Sequence, residues 1–182
     1  MNLIKTKIDG LVIFKPKIIK DKRGYFFESF KQKNINKLLG NIFFVQENES
    51  ESLKGVLRGL HFQKPPHTQS KLVRCIKGQV LDIALDLRKN SKTYGHFEST
   101  VLSSENKEQL FVPKGFAHGF IVLSNSATLS YKVDNYYNVE SESGIIWNDS
   151  FLNIDWKISK SKIIISEKDR KLPTFNNFIS PF

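Results

Sequence analysis

The residues best suited to chemistry crowd into one short stretch, Val56-Leu57-Arg58-Gly59-Leu60-His61-Phe62-Gln63. An imidazole titrates ordinarily near neutrality, so His61 suits a general base. As a regular strand the stretch would put Arg58 and Leu60 on one face and Leu57, Gly59 and His61 on the other. A twist or bulge at Gly59 would bring both polar side chains to one cavity. Gln63 and Lys71 follow close by and reinforce the cluster. Ser130-Tyr131-Lys132 and Tyr136-Tyr137 add phenols, weak acids that can protonate a carbanion when held close. Taken alone, these tyrosines equally suit the edge of a core, with their polar tips in water. Arg23 and Arg58 each precede a glycine that permits close approach. Arginine forks onto phosphate oxygens through paired hydrogen bonds, so such a pair suits a diphosphate; two surface ion pairs are the plain alternative.

These groups need a scaffold, and the apolar pattern predicts strands. Leu81-Asp82-Ile83-Ala84-Leu85-Asp86-Leu87 alternates with period two. Lys71–Ile76, Leu110–Val112, Phe120–Leu123 and Ala127–Tyr131 are further short strands, and an alternating strand is expected at Tyr25–Phe30 after Asp21-Lys22-Arg23-Gly24. Glycines punctuate the chain between these stretches, which predicts a sandwich or barrel. One helix is expected over Lys31–Leu39, stopped by Gly40. The last twenty residues are less regular and are expected to wrap over the barrel. The 182 residues suit a single domain, residues 1–182. In a small barrel every second side chain points inward, and a polar group there must pair with another or meet a ligand.

Pro113-Lys114-Gly115-Phe116-Ala117-His118 has the spacing P-x-G-x-x-H, which resembles the second half of the cupin signature. In that signature the histidine often binds a metal. The first half would need an H-x-H pair, whereas His61 and His67 here are separated by five residues that include Pro65-Pro66. No metal is therefore expected.

Composition excludes other classes. The formal charge is +10, but it comes from 23 lysines against 5 arginines, scattered over both ends of the chain. No helix carries a basic face, so nucleic acid is not an expected partner. There is no basic-then-apolar leader and no apolar run near the ~18–20 residues that span a bilayer, so a cytoplasmic protein without a membrane partner is expected. Cys75 is the single cysteine and reads as a small buried hydrophobe.

Several segments, in order, resemble the dTDP-4-dehydrorhamnose 3,5-epimerase family: D-x-R-G-Y-F-F-E-S-F at 21–30, Q-E-N-E-S at 46–50, G-V-L-R-G-L-H-F-Q at 55–63, P-P-H-T-Q-S-K-L-V at 65–73, L-D-L-R at 85–88, P-K-G-F-A-H-G-F at 113–120, S-Y-K at 130–132, Y-Y at 136–137, W-N-D at 147–149 and S-E-K-D at 166–169. The resemblance implies an all-β, cupin-type jelly-roll barrel with short peripheral helices and a metal-independent, cofactor-free isomerase. Its substrate would be a dTDP-4-keto-6-deoxy sugar. By the same resemblance His61 is the base, Asp169 its partner, Tyr131 the acid on the opposite face and Lys71 the cation beside the keto oxygen. Arg23, Glu28, Gln46, Glu47, Asn48, Arg58, His118, Glu142 and Lys168 match positions that hold the nucleotide diphosphate and sugar, and Tyr137 matches a residue that stacks on the substrate. The family pattern also implies a homodimer in which Arg23 and Glu28 reach the neighbouring site. Lys92, Asn138-Val139-Glu140 and Lys157 depart from prolines common in the family, all within loops. A relative that inverts one carbon, and a non-catalytic sugar-nucleotide-binding cupin, are the alternatives.

Overall fold

A computed structural model describes residues 2–182. The chain opens with the antiparallel pair β1 (Asn2–Lys5) and β2 (Val12–Lys15), then a separate small hairpin, β3 (Ile19–Asp21) and β4 (Gly24–Phe26), then α1 (Gln32–Leu39). The barrel proper continues through β5 (Gln46–Leu53), β6 (Leu57–Gln63), β7 (Lys71–Lys77), β8 (Gln79–Asp86), β9 (Phe97–Ser103), β10 (Gln109–Val112), β11 (Phe116–Val122), β12 (Ser126–Val133) and β13 (Glu142–Gly144). A one-turn helix, α2 (Glu167–Arg170), lies within the C-terminal segment.

Two antiparallel sheets face each other. One has six strands in the order β1-β2-β10-β7-β12-β5, the other five in the order β13-β6-β11-β8-β9. From β5 onward all consecutive strands except β8 and β9 fall in different sheets, so the chain passes back and forth between them, and the result is the cupin-type jelly roll. Between the sheets lies an apolar cluster that includes Val73, Cys75, Val80, Ala84, Leu110, Phe120 and Leu129. The outer face of the six-stranded sheet is partly covered by α1, whose Ile35 packs with Phe14, Leu72 and Phe111. The outer face of the five-stranded sheet is covered by the C-terminal segment, through Trp147, Trp156, Ile163, Ile165 and Phe175. No helix among the described residues is long and apolar enough to cross a membrane.

The helix expected at Lys31–Leu39 forms, and Gly40 ends it with a positive φ of 84°. The strand expected over Tyr25–Phe30 does not form in full. Only Gly24–Phe26 pairs; Phe27 stays beside the Tyr25 ring, and Phe30 packs toward α1, where it meets Phe44 edge-to-face. A three-residue hairpin strand has no second neighbour to extend against, so its alternation is not carried further.

The alternation at Leu81–Leu87 is present, but both faces of β8 are buried. Leu81, Ile83 and Leu85 pack under the C-terminal segment. Val80 and Ala84 point between the sheets, and Asp82 shares their side of the strand. The polar half of this pattern therefore faces the barrel interior.

Candidate active site

The site is organised by an irregularity in β6. Across the β6–β11 pair His61 stands opposite His118 and Arg58 opposite Phe120, so three steps on β6 match two on β11. This is the bulge expected at Gly59. It resets the alternation: Leu57, Leu60 and Phe62 all pack outward, while Arg58 and His61 both line one cavity. Gly59 has φ +122°, and a Cβ built there would lie 2.6 Å from Gly119 Cα and 2.8 Å from the His118 carbonyl oxygen. Only glycine permits this close crossing of the two strands.

The freed Gly59 N–H donates to Asp169 Oδ2 at 3.3 Å, and His61 Nε2 lies 2.7 Å from Asp169 Oδ1. Asp169 is delivered by α2, whose N-cap Ser166 accepts from the Asp169 N–H through its side chain. Burial works to raise the Asp169 carboxyl, but the His61 and Gly59 hydrogen bonds hold it below its ordinary range. An ionised carboxylate only accepts, so Nε2 carries the imidazole proton and Nδ1 is the free basic nitrogen. Residues 108 positions apart thus meet as one hydrogen-bonded imidazole–carboxylate pair.

Facing them from the other sheet are Lys71 on β7 and Tyr131 on β12. Both line the same cavity of about 520 Å³ as Arg58, His61, His118, Lys168 and Asp169. They also line an adjoining cavity of about 260 Å³ with Gln46, Asn48, Tyr137 and Glu142. His61, Lys71 and Tyr131 are common to both, at the junction. Although Lys71 keeps some exposed surface, protein packs around its ammonium and pushes it down to about 8, against the pull of Asp82 and Glu142. Burial raises the Tyr131 phenol, so it carries its proton at neutral pH.

Around this centre the remaining groups are held by one another. Arg58 Nε donates to Ser52 Oγ at 3.1 Å. The Tyr137 hydroxyl donates to Glu142 Oε2 at 2.6 Å, and Lys168 pairs with the same carboxylate. Burial works to raise Glu142, and those two partners outweigh it and hold it low. The loop carrying Tyr137 is fixed by two glutamines: Gln46 accepts from the Tyr137 N–H and Gln63 from the Asn138 N–H. Tyr137 itself is half exposed, with its ring free to meet a ligand.

Three expected site residues lie elsewhere in the chain. Glu47 alternates with Gln46 and Asn48 on β5 and so points to the outer face, where Lys132 pairs with it and Ser130 donates at 2.6 Å. Arg23 sits on the separate hairpin, paired with Asp21 at 2.5 Å and with most of its side chain exposed. Glu28 pairs with Lys31 and accepts from Asn34. Asp82 was not among the expected residues, yet both its oxygens bond His118 Nε2, at 2.8 and 3.0 Å. A larger groove of about 620 Å³, between β1, β2 and α1, contains none of these groups. Among the described residues no three His, Cys, Asp or Glu side chains gather as a metal-ligand set.

Residues 5–177 match a family profile described as dTDP-4-dehydrorhamnose 3,5-epimerase. The dTDP-4-dehydrorhamnose 3,5-epimerase of Escherichia coli K12 is 49% identical over 180 residues, covering 98% of this chain and 97% of that one. The chain belongs to the dTDP-4-dehydrorhamnose 3,5-epimerase family. A crystal structure of the Elizabethkingia anophelis member superposes with a TM-score of 0.94 at 51% identity, covering 97% of each chain. That of the Legionella pneumophila 3,5-epimerase, in complex with dTDP-4-keto-L-rhamnose, superposes at 0.93 with 47% identity and covers 98% of this chain and 94% of that one. The two adjoining cavities meet at His61, Lys71 and Tyr131.

Proposed function

We propose that this isomerase inverts C3 and C5 of dTDP-4-dehydro-6-deoxy-D-glucose to give dTDP-4-dehydro-L-rhamnose, with His61 as base and Tyr131 as acid. The observation that carries the reading is the opposition of an Asp169-held imidazole on one sheet to a phenol and an ammonium on the other. A proton alpha to a ketone is too weakly acidic for a free imidazole to remove quickly. A preorganised cation at the forming oxyanion lowers that barrier by several kcal/mol, which is the part assigned to Lys71. His61 Nδ1 takes the proton from one face of the sugar, and the enolate forms against Lys71. Tyr131 returns a proton to the opposite face, which inverts the carbon. The same cycle serves the second carbon on the other side of the keto group. No redox step occurs, so nicotinamide is not needed; between the two cycles His61 releases its proton to solvent and Tyr131 regains one from it.

The nucleotide is the handle. Arg58 and Lys168 supply positive charge for the diphosphate, and Tyr137, braced by Glu142, offers an aromatic face. Binding energy from these remote groups fixes the sugar between base and acid. The decisive measurement is proton NMR in D₂O with enzyme and dTDP-4-dehydro-6-deoxy-D-glucose. Deuterium entering at both C3 and C5, with product captured by a rhamnose-forming reductase, is the expected result. Exchange at a single carbon would mean a mono-epimerase, and no exchange a binding role.

We further propose that one jelly-roll domain spans the chain and that it works as a homodimer. The β3–β4 hairpin forms its own small sheet and leaves Ile19, Tyr25 and Phe26 largely exposed, apolar surface that a partner would cover. Docked on a second copy, that hairpin and the segment after it would carry Arg23 and Glu28 toward the neighbouring cavity. Sedimentation should give about twice the 21.0 kDa chain mass. Arg23→Ala should raise KM by roughly 10–100-fold with kcat little changed, the signature of a lost binding contact. A monomeric, fully active enzyme would exclude the arrangement.

A further inference from the structure

Asp82 is a carboxylate with no exposed surface, set on the inner face of β8 among the apolar residues between the sheets. A charge so placed is costly unless compensated, and its hydrogen-bond partner is His118 Nε2, bonded by both oxygens. His118 is itself only 8% exposed and stands opposite His61 in the β6–β11 register. The two histidines of the site thus each hold a carboxylate. Asp169 pairs with His61; Asp82 stands behind His118, which lines the same cavity as Lys71.

We propose that Asp82 is a positioning residue for the epimerisation: it orients His118 toward the sugar and keeps the Lys71 ammonium charged from behind. The proposal rests on Lys71 acting as the cation at the keto oxygen. Ammonium in a desolvated cavity tends to lose its proton, and the neutral amine could not stabilise an enolate. Two carboxylates oppose that loss, Asp82 from β8 and Glu142 from β13. The other titratable groups that surround the cavity are Arg58 and His61 on β6, His118 on β11 and Tyr131 on β12. From α2, Lys168 and Asp169 are already paired with Glu142 and His61. Glu142 is shared between Lys168 and Tyr137, whereas among the described residues the one side chain bonded to Asp82 is His118. Of the two, Asp82 is therefore the freer to act on Lys71.

The test is Asp82→Asn in the full-length enzyme, which keeps shape and a polar contact to His118 while removing the charge. Enzyme labelled with ¹³C at lysine Cε reports each ammonium by NMR, and Lys71 is assigned by the signal lost in Lys71→Arg. In the parent Lys71 should titrate near pH 8. In Asp82→Asn it should fall by about one pH unit, a tenfold change in proton affinity. The alkaline limb of kcat against pH should move down with it, so that much of the lost rate returns on acidification. A Lys71 signal that stays near 8 overturns the proposal. A Lys71 signal that moves while the kinetic limb does not would instead remove Lys71 from the keto oxygen, and with it the reading on which the proposal rests. If Asp82→Asn fails to bind dTDP and is not folded, His118→Gln serves. Its amide still donates to Asp82, so Lys71 should titrate no lower than in the parent; a fall there also overturns the proposal.

Discussion

Replacing His61 with Ala is expected to abolish turnover while leaving dTDP binding nearly unchanged. A positioned general base contributes typically ~10²–10⁴-fold. Here its loss should reach the upper end, because Asp169 sits behind the imidazole with its oxygens on His61 and Gly59 and does not reach the sugar in its place. Nucleotide affinity should persist because Arg58, Lys168, Tyr137 and Glu142 keep their own partners in the variant. The change does leave Asp169, 4% exposed, without its imidazole. An unsatisfied buried carboxylate costs about 1–3 kcal/mol or more, so some loss of thermal stability should accompany the loss of rate. Stopped substrate turnover and titration calorimetry with dTDP separate the two effects. Deuterium wash-in from D₂O should vanish at both carbons. Retained exchange at either carbon would assign the base elsewhere.

How far this site could be read from the sequence depended on where the alternation of side chains holds. The cluster from Val56 to Gln63 announced itself through polar types packed into few residues, and Gly59 marked the place where a bulge could bring Arg58 and His61 together. The bulge does form, because two glycines, Gly59 and Gly119, let the strands cross closely. The pairing of His61 with Asp169 spans 108 positions, beyond the reach of any local pattern, and came only from resemblance to the family. Asp82 was hidden by the alternation itself. Leucine and isoleucine at every second place of β8 mark one apolar face, and alternation alone does not say what the aspartates between them meet. The C-terminal segment buries the leucines, and the aspartates belong to the other, inward side. Periodicity identifies an apolar face but does not say what covers the opposite one. For Glu47 the error ran the other way: three adjacent residues were assigned to one ligand, although on a strand the middle one must point away from its neighbours. The partial failure at Tyr25–Phe30 has the same origin in context, since alternation predicts a strand only where a neighbour exists to pair with it.

Tyr131→Phe is expected to uncouple proton exchange from inversion. Tyr131 and His61 come from opposite sheets and line the same cavity, so an enolate held between them meets the base on one face and the phenol on the other. In the proposed mechanism proton removal requires His61 and the cation but not the phenol. Return to the opposite face requires the phenol, whose burial raises its pKa and keeps it protonated when the enolate forms. Phenylalanine fills nearly the same space, so the barrel should remain folded and dTDP should still bind. Product formation should fall by roughly 10²–10⁴-fold, the usual contribution of a placed acid. Wash-in of deuterium at the first carbon attacked should continue, because His61 can return a solvent-derived deuteron to the face from which it removed the proton. The recovered sugar would then be deuterated but of unchanged configuration. That result separates the two groups more sharply than rates alone: loss of His61 stops exchange, whereas loss of Tyr131 stops only inversion. Inverted product at the parent rate from Tyr131→Phe would show that another group, or water, delivers the second proton, and the opposition of phenol and imidazole across the barrel would then serve binding alone.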